Sequence, residues 1–118
     1  MIQKGKMEEI DIIHKTKFGI SFYWKTQQDK IQLVFRDMGF FLKEEEVKTF
    51  HKNVMEAVEQ GCCSQCQTPK DCKSILLKTP SSKIELAVSK LELKEINTFL
   101  SATLFHLEIK KYLSLSAN

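Results

Sequence analysis

Glycine and proline are scarce, four and two in 118 residues, and no two glycines are near one another. A glycine-rich phosphate loop is excluded by that spacing, and no Gly-x-Ser-x-Gly nucleophile turn or His-Glu-x-x-His helix occurs. No spacing links Ser, His and Asp into a triad, and Glu44, Glu45 and Glu46 are consecutive, so they splay around a helix and do not form an acid and base pair. No apolar run approaches the roughly 20 residues of a membrane span. The first nine residues also lack the apolar centre of a signal peptide. Neither sign of charge dominates: eighteen Lys and Arg against fifteen Asp and Glu leave +3, spread along the chain. That balance argues against nucleic acid and against an anionic membrane as partners. The expectation is a noncatalytic cytoplasmic protein, whose thiols stay mostly reduced.

What is present is alternation. At this length a chain buries roughly two-thirds of its unfolded surface, enough for a core without metal or disulfides. Phe18, Ile20, Phe22 and Trp24 alternate with Gly19, Ser21, Tyr23 and Lys25, and Ile31, Leu33 and Phe35 alternate with Gln32, Val34 and Arg36. With Thr26–Lys30 as connector, the two segments predict an antiparallel hairpin, which Asp37-Met-Gly39 ends. Lys43-Glu-Glu-Glu46 then places acids in the first turn of a helix. Val47, Phe50, Val54 and Val58 form its apolar stripe, and Gly61 stops it.

The plan recurs after residue 73. Ile75 and Leu77 alternate with Leu76 and Lys78, Pro80-Ser-Ser82 turns the chain, and Ile84, Leu86 and Val88 alternate with Glu85, Ala87 and Ser89. Ser89 and Glu92 have the spacing of a capping box, flanked by Val88 and Leu93 as a hydrophobic staple, so a second helix is predicted from about Lys90 to Leu113. The expected fold is α+β, a two-layer sandwich of order β-β-α-β-β-α, with a four-stranded antiparallel sheet and two helices on one face. Residues 1–16 form a tail or an edge strand. Residues 17–118 form one domain, with halves 17–61 and 73–114 joined by a cysteine-rich connector, 61–73.

That connector holds all four cysteines: Cys62, Cys63, Cys66 and Cys72. Cys63-x-x-Cys66 can offer two thiolates to a tetrahedral zinc, with Cys72 and Cys62 as further sulfur ligands. A fourth ligand could instead be His14, His51, His106 or an acid. His51 lies about three turns before Cys62, roughly 16 Å along a straight helix, which argues against it. The spacing matches neither standard ferredoxin run. Redox pairs sit at helix N-termini, where the dipole lowers the thiol pKa, whereas this pair follows a helix C-terminus. Zinc binding, free thiols and a disulfide or redox pair are therefore all readings of this segment.

The second helix has apolar residues on two sides. At 100° per residue, Leu93, Ile96, Leu100, Leu104 and Leu107 form one stripe, while Phe105, Ile109 and Tyr112 fall nearly opposite. Either the N-terminal segment, with Ile10 and Ile12, covers the second side, or the helix bends, or the protein is a homo-oligomer joined there. The open face of the sheet is expected to show Ser21, Tyr23, Gln32, Val34, Arg36, Leu76, Lys78, Glu85 and Ala87, a solvated face.

Ile31-Gln-Leu-Val-Phe35, Leu42 with Glu45 and Phe50, and Cys72-Lys-x-x-Leu76-Leu-Lys-Thr-Pro80 together resemble a family of small bacterial proteins whose function is not assigned. The resemblance runs from about Phe18 to Leu113. It implies a bacterial cytoplasmic domain and carries over no catalytic or binding residues. The functional expectation is a self-associating interaction domain, the alternative a zinc or thiol module on Cys62–Cys72.

Overall fold

The alternating segments form strands, but more of them than the sequence announces. The structure, a computed structural model, describes residues 9–61 and 73–116. The elements in order are β1 (Ile10–Lys15), β2 (Gly19–Trp24), β3 (Gln27–Phe35), β4 (Met38–Leu42), α1 (Glu44–Gly61), β5 (Ile75–Lys78), β6 (Glu85–Val88) and α2 (Lys90–Ser116). The fold is α+β. Its four-stranded antiparallel sheet has the order β1-β2-β3-β4, while β5 and β6 make a separate two-stranded sheet. The expected single sheet that joined strands from both halves is thus corrected: beside β2 and β3 its other members are β1, from residues 1–16, and β4, from the first half. Hairpins joined by two residues pair with their sequence neighbours, and this chain has two such hairpins in a row.

The first hairpin closes at Lys25-Thr26, where Trp24 pairs with Gln27. The polar stretch expected as a connector is therefore the start of β3. The second hairpin closes at Arg36-Asp37, where Phe35 pairs with Met38. Arg36 takes φ 56°, the positive φ that a type II′ turn needs at its first central residue. The segment read as a strand breaker is therefore a turn followed by β4.

Register reverses one expected face. Ser21 pairs with Leu33, and Phe22 with Gln32. Directly opposed residues share a side of the sheet, so Ser21 lies with the buried Leu33 and is itself fully buried. Placing Ser21 on a solvated face is corrected accordingly. Gly19 sits opposite Phe35 in the same ladder, and a Cβ there would collide with the Val34 carbonyl oxygen. Only glycine allows the two backbones to approach this closely.

The chain divides into two compact units, one holding the described residues through Glu44 with α2 from Ala102 onward, the other holding Glu45–Ser101. In the first unit, Ile13, Phe22, Ile31, Leu33, Phe35, Leu42 and Leu107 are buried. In the second, Val47, Phe50 and Val54 of α1 are fully buried, as the three-four spacing predicts, with Leu77, Leu86, Val88, Leu93, Ile96, Phe99 and Leu100. Asn53 Nδ2 donates to the Lys78 carbonyl at 3.1 Å, which ties α1 to β5.

Leu77, Leu86 and Val88 point inward while Leu76, Lys78, Glu85 and Ala87 are exposed, as their alternation requires. Ile84 departs from that pattern: it lies in the turn, exposed, where its N–H donates to the Ser81 carbonyl and its own carbonyl accepts from Thr79 Oγ1 at 2.8 Å.

The capping box forms as the spacing predicts. Glu92 N–H donates to Ser89 Oγ at 3.1 Å, and Ser89 N–H donates to Glu92 Oε1 at 3.0 Å. Such a pair satisfies two of the four unpaired amides at a helix start and is worth about 1 kcal/mol. The buried stripe of α2 runs through Leu93, Ile96, Phe99, Leu100, Thr103 and Leu107, and Leu104 is only half-buried.

Candidate functional site

The two apolar sides expected of α2 are present. Opposite the stripe that carries Leu107, Phe105 is 63% exposed, Ile109 38%, Tyr112 70% and Leu113 59%. The spacings of four and three keep Phe105, Ile109 and Tyr112 within one narrow arc of the helix, with Leu113 beside them. Sequence periodicity alone located three of these four residues. Leu113 is found by the same arithmetic carried one residue further.

Coverage by the N-terminal segment takes a different form from the one expected. β1 does reach α2, but through Asp11 and His14. Asp11 Oδ2 is 3.1 Å from Lys110 Nζ, and the His14 ring stacks on His106 with centroids 5.1 Å apart. His106 and Lys110 lie on a flank of the helix, about 100° or more around from Phe105. Ile13 enters the core at a register irregularity in β1, whereas Ile12 stays exposed. The Phe105 ring meets the His106 ring edge-on at 5.8 Å and is otherwise open to solvent. Burial, and then the charge of His106, hold the His14 pKa below its ordinary 6.5.

On the side of α2 that carries Leu107, reaching round to Lys110, lies an open hollow of about 430 Å³ lined by Tyr23, Leu107, Lys110, Lys111 and Ser114. Lys111 Nζ donates to Glu44 Oε2 at 2.6 Å, and that hydrogen bond raises the lysine pKa. Burial and the Glu44 carboxylate push the Tyr23 hydroxyl above its ordinary 10. Tyr23 therefore stays protonated and Lys111 charged at neutral pH, which suits neither for taking a proton. The two lysines that flank the exposed stripe, Lys110 and Lys111, are each paired with a carboxylate of the same unit.

The three histidines are placed by ordinary contacts: His14 on His106, and His51 Nε2 2.8 Å from Ser101 Oγ. Among the described residues, no group of three or more His, Cys, Asp or Glu could hold a metal ion. Cys62, Cys63, Cys66 and Cys72 lie outside the described residues. Among the described residues no helix is long and apolar enough to cross a membrane.

Sequence reasoning missed the Ser21 and Thr103 hydroxyls, which lie 2.9 Å apart, both fully buried. A signal existed: Thr103 continues the four-three-four spacing of Ile96, Leu100 and Leu107. A hydroxyl in a buried stripe requires a partner.

No curated protein matches the chain, and no solved structure does. Residues 7–117 match a family model across nearly the whole length, and on that match the chain belongs to DUF6686, a family of unknown function.

Proposed function

We propose that this protein is a noncatalytic association domain that pairs with a second copy of itself through Phe105, Ile109, Tyr112 and Leu113 of α2. The observation that carries this reading is the exposure of four large apolar side chains on one side of a helix whose other side is already buried. Contiguous exposed apolar surface usually marks an interaction site, because leaving it in water forgoes about 25 cal/mol per Å².

The flanking charges favour a copy of the same chain. Lys110 is paired with Asp11 and Lys111 with Glu44, so the lysines beside the stripe carry their counter-ions with them. A two-fold pairing sets one patch against itself, and with Lys110 and Lys111 neutralised within each copy the charge left at its edge is that of Glu108, one helical turn from Phe105 and Tyr112. Sedimentation at increasing concentration tests the reading. The mass moves toward twice that of the chain if the stripe self-associates, and stays at one chain if it does not.

A further inference from the structure

A second surface of the four-stranded sheet carries a different chemistry. Trp24 at the end of β2, Thr26 in the first hairpin turn, Gln27 and Gln32 of β3, and Gly39 and Phe41 of β4 line a cavity of about 560 Å³. The register places Gln32 directly opposite Phe41, and Trp24 opposite Gln27.

The lining is held in place by its own hydrogen bonds. Trp24 Nε1–H donates to Gln32 Oε1 at 3.2 Å, and Gln32 Nε2 donates to the Phe40 carbonyl at 3.3 Å. The indole has spent its single donor, so it offers a ring surface. The Gln32 amide, orienting both contacts, retains one N–H and one lone pair. Phe22 meets the indole edge-on, with centroids 5.1 Å apart, which fixes the plane of that ring. Gly39 keeps the amide uncovered, since a Cβ there would lie 3.3 Å from Gln32 Nε2.

None of the six lining residues ionises. Lys30 Nζ sits 5.1 Å from the Phe41 ring centroid, a single ammonium engaged with an aromatic ring. A groove that follows a phosphate backbone needs several cations along its length, and this lining supplies none. Two aromatic rings, two carboxamides and a hydroxyl, beside that single cation, instead suit a ligand with a C–H face and several hydroxyls. The C–H face packs on a ring while the hydroxyls both give and accept hydrogen bonds.

From this we infer that the cavity between Trp24, Gln32 and Phe41 binds a neutral saccharide. The inference is independent of self-association through α2, because none of the six lining residues belongs to that helix.

Trp24 is the only tryptophan in the chain, so its emission reads the cavity directly. The full chain is titrated with cellotetraose, xylotetraose and chitotetraose. The expected result is a saturable change in Trp24 emission with at least one of them, its midpoint weakened about tenfold by Gln32→Leu and by Phe41→Ala. Phe41 is 38% exposed and outside the buried core, so Phe41→Ala is expected to fold, with some loss of melting temperature, and decides the matter even if Gln32→Leu perturbs folding. An absence of saturable change with all three sugars, or a response that Phe41→Ala leaves intact, overturns the inference. A response only to single-stranded RNA or to an extended peptide also overturns it and moves the cavity to another ligand class.

Discussion

Ser21 Oγ and Thr103 Oγ1 meet at 2.9 Å with neither side chain reached by solvent, joining β2 to α2 across 82 residues of sequence. Ser21 Oγ is also 3.4 Å from the His14 carbonyl, to which it donates. With its hydrogen directed there, the Thr103 hydroxyl is the one that donates to Ser21. The pair explains why a strand position that reads as solvent-facing can be buried: its hydroxyl is satisfied twice.

Thr103→Val keeps shape and volume but removes that donor. It is expected to lower unfolding stability by about 1–2 kcal/mol, as is Ser21→Ala. Because both changes break one contact, the double variant loses less than the sum of the two, by at least about 0.5 kcal/mol. Urea unfolding of the four proteins measures this, and strict additivity contradicts the hydrogen bond.

The two tight positions of the sheet respond oppositely to glycine. Arg36 holds φ 56° in the second hairpin turn, so Arg36→Gly is expected to raise the thermal midpoint, by about 0.5–1 kcal/mol of stability. Gly19→Ala drives a methyl against the Val34 carbonyl and is expected to destabilise by several times that amount. A neutral Gly19→Ala, or a destabilising Arg36→Gly, contradicts the backbone geometry described at these two positions.

Helices were more legible in the sequence than sheets, for a local reason. Val47, Phe50 and Val54, and the Ser89 and Glu92 box, are set by spacings of three and four within one element, so periodicity and capping rules locate them directly. The face of Ser21 depends on where the first hairpin turns. Lys25-Thr26 lacks the Asn-Gly or Asp-Gly that marks a two-residue turn, and the polar Gln27-Gln-Asp-Lys30 reads as loop. β4 was hidden in the same way by Asp37-Met-Gly39. The exposed stripe of α2 was legible because it is again a matter of 100° per residue. The stacking of His14 on His106 brings together residues far apart in the chain, and no local pattern reports it.

His14 gives stability a pH dependence of defined sign. Its folded pKa lies below the unfolded value near 6.5, so between the two values the unfolded chain binds more protons. Stability from the neutral ring is complete above pH 6.5, is lost as pH falls below 6.5, and stops declining once pH passes the folded pKa. Thermal melts in small steps through this window are expected to fall with acidification, and His14→Gln is expected to flatten the slope there. An equal slope in the variant contradicts the assignment to His14.

The cysteine segment bears on the alternative reading. If the protein works by association through α2, the double change Cys63→Ser with Cys66→Ser leaves solution mass and melting temperature unchanged, and freshly purified protein carries no stoichiometric zinc. One zinc per chain, lost with thermal stability in the double variant, makes the segment a metal site in its own right.

Sedimentation equilibrium on wild type, Phe105→Asp and Leu76→Asp tests the central claim most directly. Phe105 lies in the proposed contact, and Leu76 is an equally exposed leucine on β5. The expected result is a dimer mass for wild type and for Leu76→Asp, and a single-chain mass for Phe105→Asp, because an unpaired carboxylate placed in a self-facing patch is set against its own copy. A wild-type monomer, or a dimer that Phe105→Asp leaves intact, contradicts the account.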